Sequence, residues 1–593
     1  ETPHISIVPG EVHEWKAVLP SLRRIGEPFR LGLKAEDLWG NPTDRAYETL
    51  FLESSHPVQG HPETVCYPLG KKSLVLEGLV VEKPGVVRIL VKSEEEKILA
   101  EAGPLLIQEE GVSGYWGDLH GQSGETIGLT TSRQYFDFAR NKSFLDVTSH
   151  QANDFQVNNA FWKYLNQLTE EYHEDGRFVV FPGYEWSGNT AVGGDRNVFF
   201  RDEGRQIRRS SHALLSDRSD LETDAPTASK LFEALQEEDC VVYAHVGGRY
   251  ADISQAHDPR LETAMEIHSA WGTFEWLLTD GFPLGHRSGV VCNSDGHKGR
   301  PGASYPGAAT FGAYGGLTCF LTHDLTRDGI FECLRSRHHY GTSGCRIHLE
   351  VKAHFKEETI FYHQDPKAYR DPRTSKVREV MMGDIVETRE NEVMLSLKIL
   401  AHAPLERVEI RNGSEVCSIH RPFDASDLGS RIRVIWSGAE YRGRGRQTSW
   451  KGRADFRHCR ILKMKKINAW NHEKRLQTCG TKSVEWDAVT TGNFGGFDVW
   501  LEEGDDAELD LASNHGSLRI PLNQIDLEDH VLDAGGLERQ IRVFRLPEIN
   551  PHREIEHHLQ IPLKSNQDNP LWVCVTTEDG FQAWSSPIFV IPS

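Results

Sequence analysis

Residues 114–128, GYWGDLHGQSGETIG, put His120 at the end of a short apolar run and follow it with glycine and polar residues instead of another helical turn. An imidazole there, with flexible backbone after it, is placed to bind something at the mouth of an α/β fold. The arrangement recurs downstream. His150 closes SFLDVTSH, Glu185 lies in PGYEW and His245 closes VVYAH. Glu266 and His268 lie in MEIH, and Asp295 and His297 in NSDGH. One histidine so placed is usually packed or hydrogen-bonded. Five of them, with Glu185 and Asp295, would cost roughly 1–3 kcal/mol for each buried group left unsatisfied. Metal coordination supplies the compensating interaction.

Imidazoles with one or two carboxylates suit Zn²⁺, Mn²⁺ or Fe²⁺, whereas Mg²⁺ and Ca²⁺ call for mostly oxygen ligands. Cys292, within the VVC run, reads as core. Glu185 can bridge two ions, which makes the expected site multinuclear. Such ions acidify a water and polarise an electrophile, so the chemistry is hydrolysis. Arg196, Arg249, Lys298 and Arg300 stand beside the ligand motifs and offer cationic groups to a substrate anion. Tyr184, Trp186 and Trp271 read either as pocket walls or as core. Asp118 is placed to orient a ligand histidine from behind, and Glu266 reads equally as ligand or as a carboxylate behind one.

The elements that must position these residues fall in the middle of the chain. Residues 113–345 alternate apolar strands with helical segments, which reads as repeated βα units and a closed or nearly closed barrel. Within them the polar stretch 201–227 reads first as a solvated loop and second as a lid over the site. Residues 1–112 show alternating strands broken by Gly-Asn-Pro and Pro-Gly, a small immunoglobulin-like β-sandwich. Residues 346–593 return to alternating strands, one or two further sandwiches. The basic stretch 440–466 reads as a strand's solvated face before a nucleic-acid surface.

At 593 residues the chain needs several cores, and its 38% hydrophobic and 26% charged content is that of a globular protein. A net charge of −21 argues against coating nucleic acid and leaves room for a small anionic substrate held locally. No apolar run reaches the roughly 18 residues of a membrane span, so no membrane partner is expected. The ten cysteines are scattered and the first residues lack a signal-peptide pattern, which favours a cytoplasmic enzyme with reduced thiols. A homo-oligomer is compatible with all of this.

The motifs GDLHGQ, VTSH, GYEW, YAHVGG, EIH and NSDGH occur in the order of the PHP (polymerase and histidinol phosphatase) family of metal-dependent phosphoesterases. With RHHYGTSG and the terminal AWSSPIFV, the chain resembles the large branch named DUF3604. The resemblance implies a distorted (β/α)7 barrel carrying two or three divalent metals, flanked by β-sandwich-like domains. It implies that His120, Glu185 and Asp295 share one ion, that Glu185, His245 and His268 share a second, and that His150 and His297 hold a third or act as proton donors. Where the family begins His-x-His, this chain has His120-Gly121-Gln122, and Gln122 offers a carbonyl oxygen instead. Glu125 stands near the family's next ligand position. The expected function is hydrolysis of a small phosphate ester, with Arg249 and Arg300 taking up charge. An amide, lactone or carboxylic ester at the same site is the alternative, and a binding protein with a degenerate barrel is a third reading.

Overall fold

The computed structural model describes residues 8–303, 313–443, 445–469 and 474–593. Strands dominate it, with five α-helices among the described residues. The strand Ser113–Asp118 pairs in parallel with Val147–Ser149, which pairs in parallel with Val179–Phe181. Its other edge runs antiparallel to Leu317–Thr322, which continues antiparallel to His339–Thr342. A second sheet holds Gly183–Trp186, Arg196–Phe200, Cys240–Ala244, Glu262–Ser269 and Gly289–Cys292 in that order. Its first two pairings are antiparallel and its last two parallel.

The expected (β/α)7 barrel is therefore corrected to mixed sheets with few helices. One cause is visible at residues 187–195. A 3-10 turn, Thr190–Val192, and Gly193 at φ 119° return the chain beside Gly183–Trp186 as a hairpin. A parallel neighbour would have needed a crossover of about a dozen residues or more. Strands buried on both faces read alike in either direction, so an apolar run does not announce its pairing.

Three regions join through continuous hydrogen bonding. In the N-terminal part, Glu14–Val18, Phe29–Glu36 and Leu74–Leu79 form one sheet, and the core around Trp15, Leu31, Leu33, Tyr67 and Ile89 lies against it. Leu22–Arg24 bridges Ile98–Gln108 to the first central strand. On the C-terminal side, Gln582–Ser585 pairs with His339–Thr342. Helix Glu275–Gly281 is anchored there by Glu275, whose carboxylate accepts from Trp584 Nε1 and Arg411 Nη1, both at 2.6 Å. Beside it two glycine turns press together. A Cβ on Gly272 (φ 140°) would lie 1.9 Å from the Thr491 carbonyl oxygen, and one on Gly492 (φ 97°) 1.9 Å from that of Thr273.

The stretch 201–227 is partly built into the structure. Ile207, Arg209 and Ala225 are buried, and Arg209 donates to Val157 O at 2.9 Å and Asn159 Oδ1 at 2.7 Å. In the stretch 440–466, Arg453 and Arg460 face Glu485 and Glu502 on neighbouring strands, each at 2.6 Å, so cross-strand acids neutralise much of its charge. All ten cysteines are free thiols. Among the described residues no helix is long and apolar enough to cross a membrane.

Candidate metal centre

Strand ends and the loops after them converge on His120. The bridge between Gly121 and Gly296, with Gln122 N donating to Gly296 O at 2.9 Å, brings the first loop to the Asp295 loop. A second bridge, Asn153 to Glu185, fixes the third strand end. Asp118 joins them from below. Its carboxylate, fully buried, accepts from Ser294 N (2.9 Å), Gly302 N (2.7 Å) and His120 N (3.2 Å). It thus holds backbone, and the role expected for it behind a histidine ring belongs to Glu266.

Glu266 accepts from His120 Nδ1 through both oxygens, at 3.0 and 3.1 Å, and from Asn293 Nδ2 at 2.8 Å. With its proton on Nδ1, the ring turns the Nε2 lone pair inward. That atom lies 3.3 Å from Asp295 Oδ1 and 3.7 Å from Glu185 Oε2. It is buried and makes no hydrogen bond among the described residues. His245 packs edge-on against His120, with ring centroids 4.5 Å apart. Neither of its nitrogens has a hydrogen-bond partner among the described residues, and Nε2 stands 3.6 Å from Glu185 Oε1.

A lone pair aimed at carboxylates is repulsive unless positive charge sits between them. Two overlapping groups have the spacing to hold such a charge: His120, His245 and Asp295, and Glu185, Asp195 and His245. Within each, one ligand atom per residue lies within 4.8 Å of the others. The electrostatics agree. Burial, with Glu185 and Glu266 nearby, pushes the Asp295 carboxyl up to about 8 against the pull of His120. Burial and Glu185 likewise raise Asp195 against Arg249. Burial alone would push the His120 imidazole down, but Asp295, Glu266 and Glu185 hold it well above its ordinary value, so without an ion a proton on Nε2 supplies the positive charge these acids call for. Asp295 reaches inward from a backbone at φ 44°, a left-handed conformation that is costly for a non-glycine residue. Gly247 closes the wall: a Cβ there would meet Asp295 Oδ2 at 3.0 Å and His245 Nε2 at 3.3 Å.

Several expected site residues lie elsewhere. His268 accepts from Thr273 Oγ1 at 2.8 Å, donates to Tyr314 O at 3.0 Å and stacks on Trp584. A bulge between Glu266 and His268 breaks the strand's alternation, so Glu266 faces His120 while His268 faces the C-terminal seam. His150 sits among Tyr135, Phe136 and Phe161, with Nε2 on Ser123 Oγ at 2.8 Å. Gln122 donates to Glu185 Oε2 at 3.0 Å, while its carbonyl accepts from Asn153 and Thr126. Flipping that amide would set donors against donors, so its oxygen is not turned to a metal. Glu125 accepts from Ser132 N at the start of helix Ser132–Asn141.

Of the basic residues, Arg196 is wholly buried, bound to Glu262 at 2.9 Å and to the carbonyls of Gly193, Gly194 and Ala256. Arg300 reaches Gly40 and Asn41 of the N-terminal region. Burial and Arg300 hold Lys298 down to about 8. Tyr184 and Trp186 are core, their polar atoms bonded to Arg208 N and Ala225 O. His297 is half-buried, edge-on to Trp271 at 5.9 Å. Arg249 is at the site: Nε donates to Asp195 Oδ1 at 2.7 Å, and Nη2 lies 3.9 Å from Glu185.

Two participants escaped the sequence reading. Asp195 precedes Arg196 in GGDRN, where the arginine drew notice, and an acid just before a strand was the available signal. Arg446 lies in the C-terminal region, and no spacing points to it. Its Nη2 donates to Gly247 O at 2.6 Å, and its guanidinium lies over Phe274 at 5.3 Å and Trp271 at 5.9 Å.

A family model described as "Protein of unknown function (DUF3604)" matches residues 99–245, a span that takes in His120, Glu185, Asp195 and His245. The match supports the resemblance to that branch. An uncharacterized protein of Chlamydia pneumoniae is 25% identical over 350 residues, covering 54% of each chain. One from Chlamydia trachomatis serovar D is 21% identical over 346 residues, also 54% of each. The chain thus spans about half the length of these curated relatives. Among solved structures, a two-domain protein of Bacteroides vulgatus, described as containing a predicted PHP-like metal-dependent phosphoesterase, is 12% identical. That likeness covers 69% of this chain and 95% of the other, at a TM-score of 0.27.

Proposed function

We propose that the central site is that of a metal-dependent hydrolase acting on a phosphate ester. The observation that carries this reading is the set of bare, buried imidazole nitrogens on His120 and His245, facing Glu185, Asp195 and Asp295. His120, His245 and Asp295 would hold one divalent ion and Glu185, Asp195 and His245 a second, with manganese and zinc both suited to the donor set. Bound there, the ions supply Lewis acidity to the phosphoryl group and acidify a water.

The chain's own residues do the rest. Glu266 fixes the His120 tautomer, and Asp118 fixes the loops that carry His120 and Asp295. Arg249, anchored by Asp195 and one-fifth exposed at its side chain, presents the remainder of its guanidinium to a phosphoryl oxygen. Burial holds the His297 imidazole below its ordinary value, so it is neutral near pH 7. In that state it takes a proton from the attacking water and passes it to the leaving oxygen.

Elemental analysis of the chain beside its Glu185→Ala variant, with a phosphomonoester and amide panel on both, tests this. Two tightly held transition metals per chain are expected, with at least one lost in the variant and phosphoester turnover down by about 10³-fold or more. Less than one metal per chain, with no turnover on added Mn²⁺ or Zn²⁺, would overturn it. Turnover of amides alone would transfer the site to the other bond.

A further inference from the structure

We propose that Arg446, supplied by the C-terminal β region, is a substrate-positioning residue of the central site. The inference rests on the hydrolase reading above and extends the site across two regions of the chain. Arg446 is 3% exposed. Its guanidinium reaches the wall that closes the ligand cluster: Nη2 donates to the carbonyl of Gly247, where an added Cβ would meet both Asp295 and His245. Nε donates to Gly443 O at 3.0 Å, which holds the head of the side chain from behind. The rings of Phe274 and Trp271 cover it, and Trp271 also stands edge-on to His297.

The two ligand groups are thereby flanked alike. Arg249 borders the group of Glu185, Asp195 and His245 through Asp195. Arg446 borders the group of His120, His245 and Asp295 through Gly247, and its charge also offsets the burial of Asp295. Two guanidinium groups beside one bench of carboxylates give each of the two ligand groups a cationic flank. A phosphoryl group bound among these ligands would have oxygens to offer both flanks, and Arg249 and Arg446 would each hold one of them. The chemistry excludes a neutral amide as the preferred ligand of such a pair.

The test uses the full chain loaded with Mn²⁺ and inorganic phosphate as the probe, with affinity read by calorimetry and metal content by elemental analysis. Arg446→Met should weaken phosphate binding tenfold or more while metal stoichiometry stays at the wild-type value. Arg446→Lys, which keeps the charge and loses the fork, should weaken it about three- to fivefold and carries the test should the methionine variant not fold. Phosphate affinity within twofold of wild type in a folded, metal-loaded variant would overturn the inference and leave the hydrolase reading intact. So would a loss of affinity fully accounted for by a parallel loss of metal. A wild-type chain that holds no metal would overturn both. With a turned-over phosphoester, KM should rise more than kcat falls; an unchanged KM would count against the positioning role.

Discussion

Two places in the molecule bury several carboxylates, and they solve the problem in opposite ways. In the C-terminal region Asp498 accepts from Arg433 Nε at 2.7 Å and Nη2 at 2.9 Å, and from Arg431. Asp529 takes both prongs of Arg407 at 2.6 and 2.7 Å, and Glu406 takes Arg407 Nε at 2.8 Å. Against the upward push of burial, these arginines hold Glu406, Asp498 and Asp529 below the ordinary carboxylate range. In the central site Asp195 and Asp295 are pushed the other way. Glu406 and Asp498 are as buried as Asp195 and Asp295; what differs is the number of arginines paired with them. The C-terminal cluster is complete in itself, and on the proposed reading the central one leaves its balance to a bound cation.

That contrast can be broken first where it is strongest. Asp498→Asn leaves Arg431 and Arg433 buried with half their partner gone, and should cost about 3–5 kcal/mol of stability while leaving metal content unchanged. Urea unfolding followed by tryptophan fluorescence reads this; a loss under about 1 kcal/mol would mean that the network is not what holds that region together.

Asp295→Asn should do the opposite in the metal-free chain. The folded carboxyl, raised to about 8, keeps its proton while the unfolded one ionises near 4. Between those values the unfolded state binds fewer protons, so wild-type stability falls as pH rises. The variant does not titrate, so at pH 8 it should be more stable than wild type by several kcal/mol, about 1.4 for each unit between the two values, the gap closing toward pH 4. Added Mn²⁺ should reverse the order. Thermal midpoints at four pH values, with and without the ion, decide it; a gap that widens toward acid would reverse the sign of the argument.

The smallest effect sharpens the comparison between histidines. His348 is buried like His245, also without hydrogen-bond partners among the described residues, but Lys398 rather than a carboxylate faces it. Burial, with Lys398, pushes its imidazole down to about 3. It therefore contributes stability that is present above about 6.5 and lost as pH falls toward 3. His348→Leu should recover about 0.4 kcal/mol at pH 6.5, growing toward pH 5, apart from a pH-independent packing term. Stability-versus-pH curves that remain parallel would show that this imidazole is not held neutral.

The same pairing explains what the sequence allowed and what it withheld. His120, Glu185, His245 and Asp295 were legible because each ends an apolar run and all converge. His150 and His268 end apolar runs too, yet a serine hydroxyl takes Nε2 of His150, and a threonine hydroxyl and a carbonyl take both nitrogens of His268. The difference lies in through-space neighbours and in one bulge, neither of which leaves a mark on spacing. Arg196 looked like a substrate contact because it adjoins the motif, but Glu262, sixty-six residues on, claims it. Strand existence in the middle region was readable; strand direction was not, since buried runs such as RNVFF serve a hairpin as well as a crossover. Arg446 could be found only after the chain had been folded back.

The paired turns at Gly272 and Gly492 carry a consequence for inheritance. Each glycine occupies space that the other region's carbonyl has already taken, so a side chain at either one collides with main chain rather than with a movable rotamer. Neither region can drift at this point on its own. A recombinant that exchanges the C-terminal half for one with a bulkier turn should fail at the join even if each half is sound. The two turns are therefore bound to travel as one unit of descent, and a shuffled library of such chains should return few crossovers between residues 272 and 492.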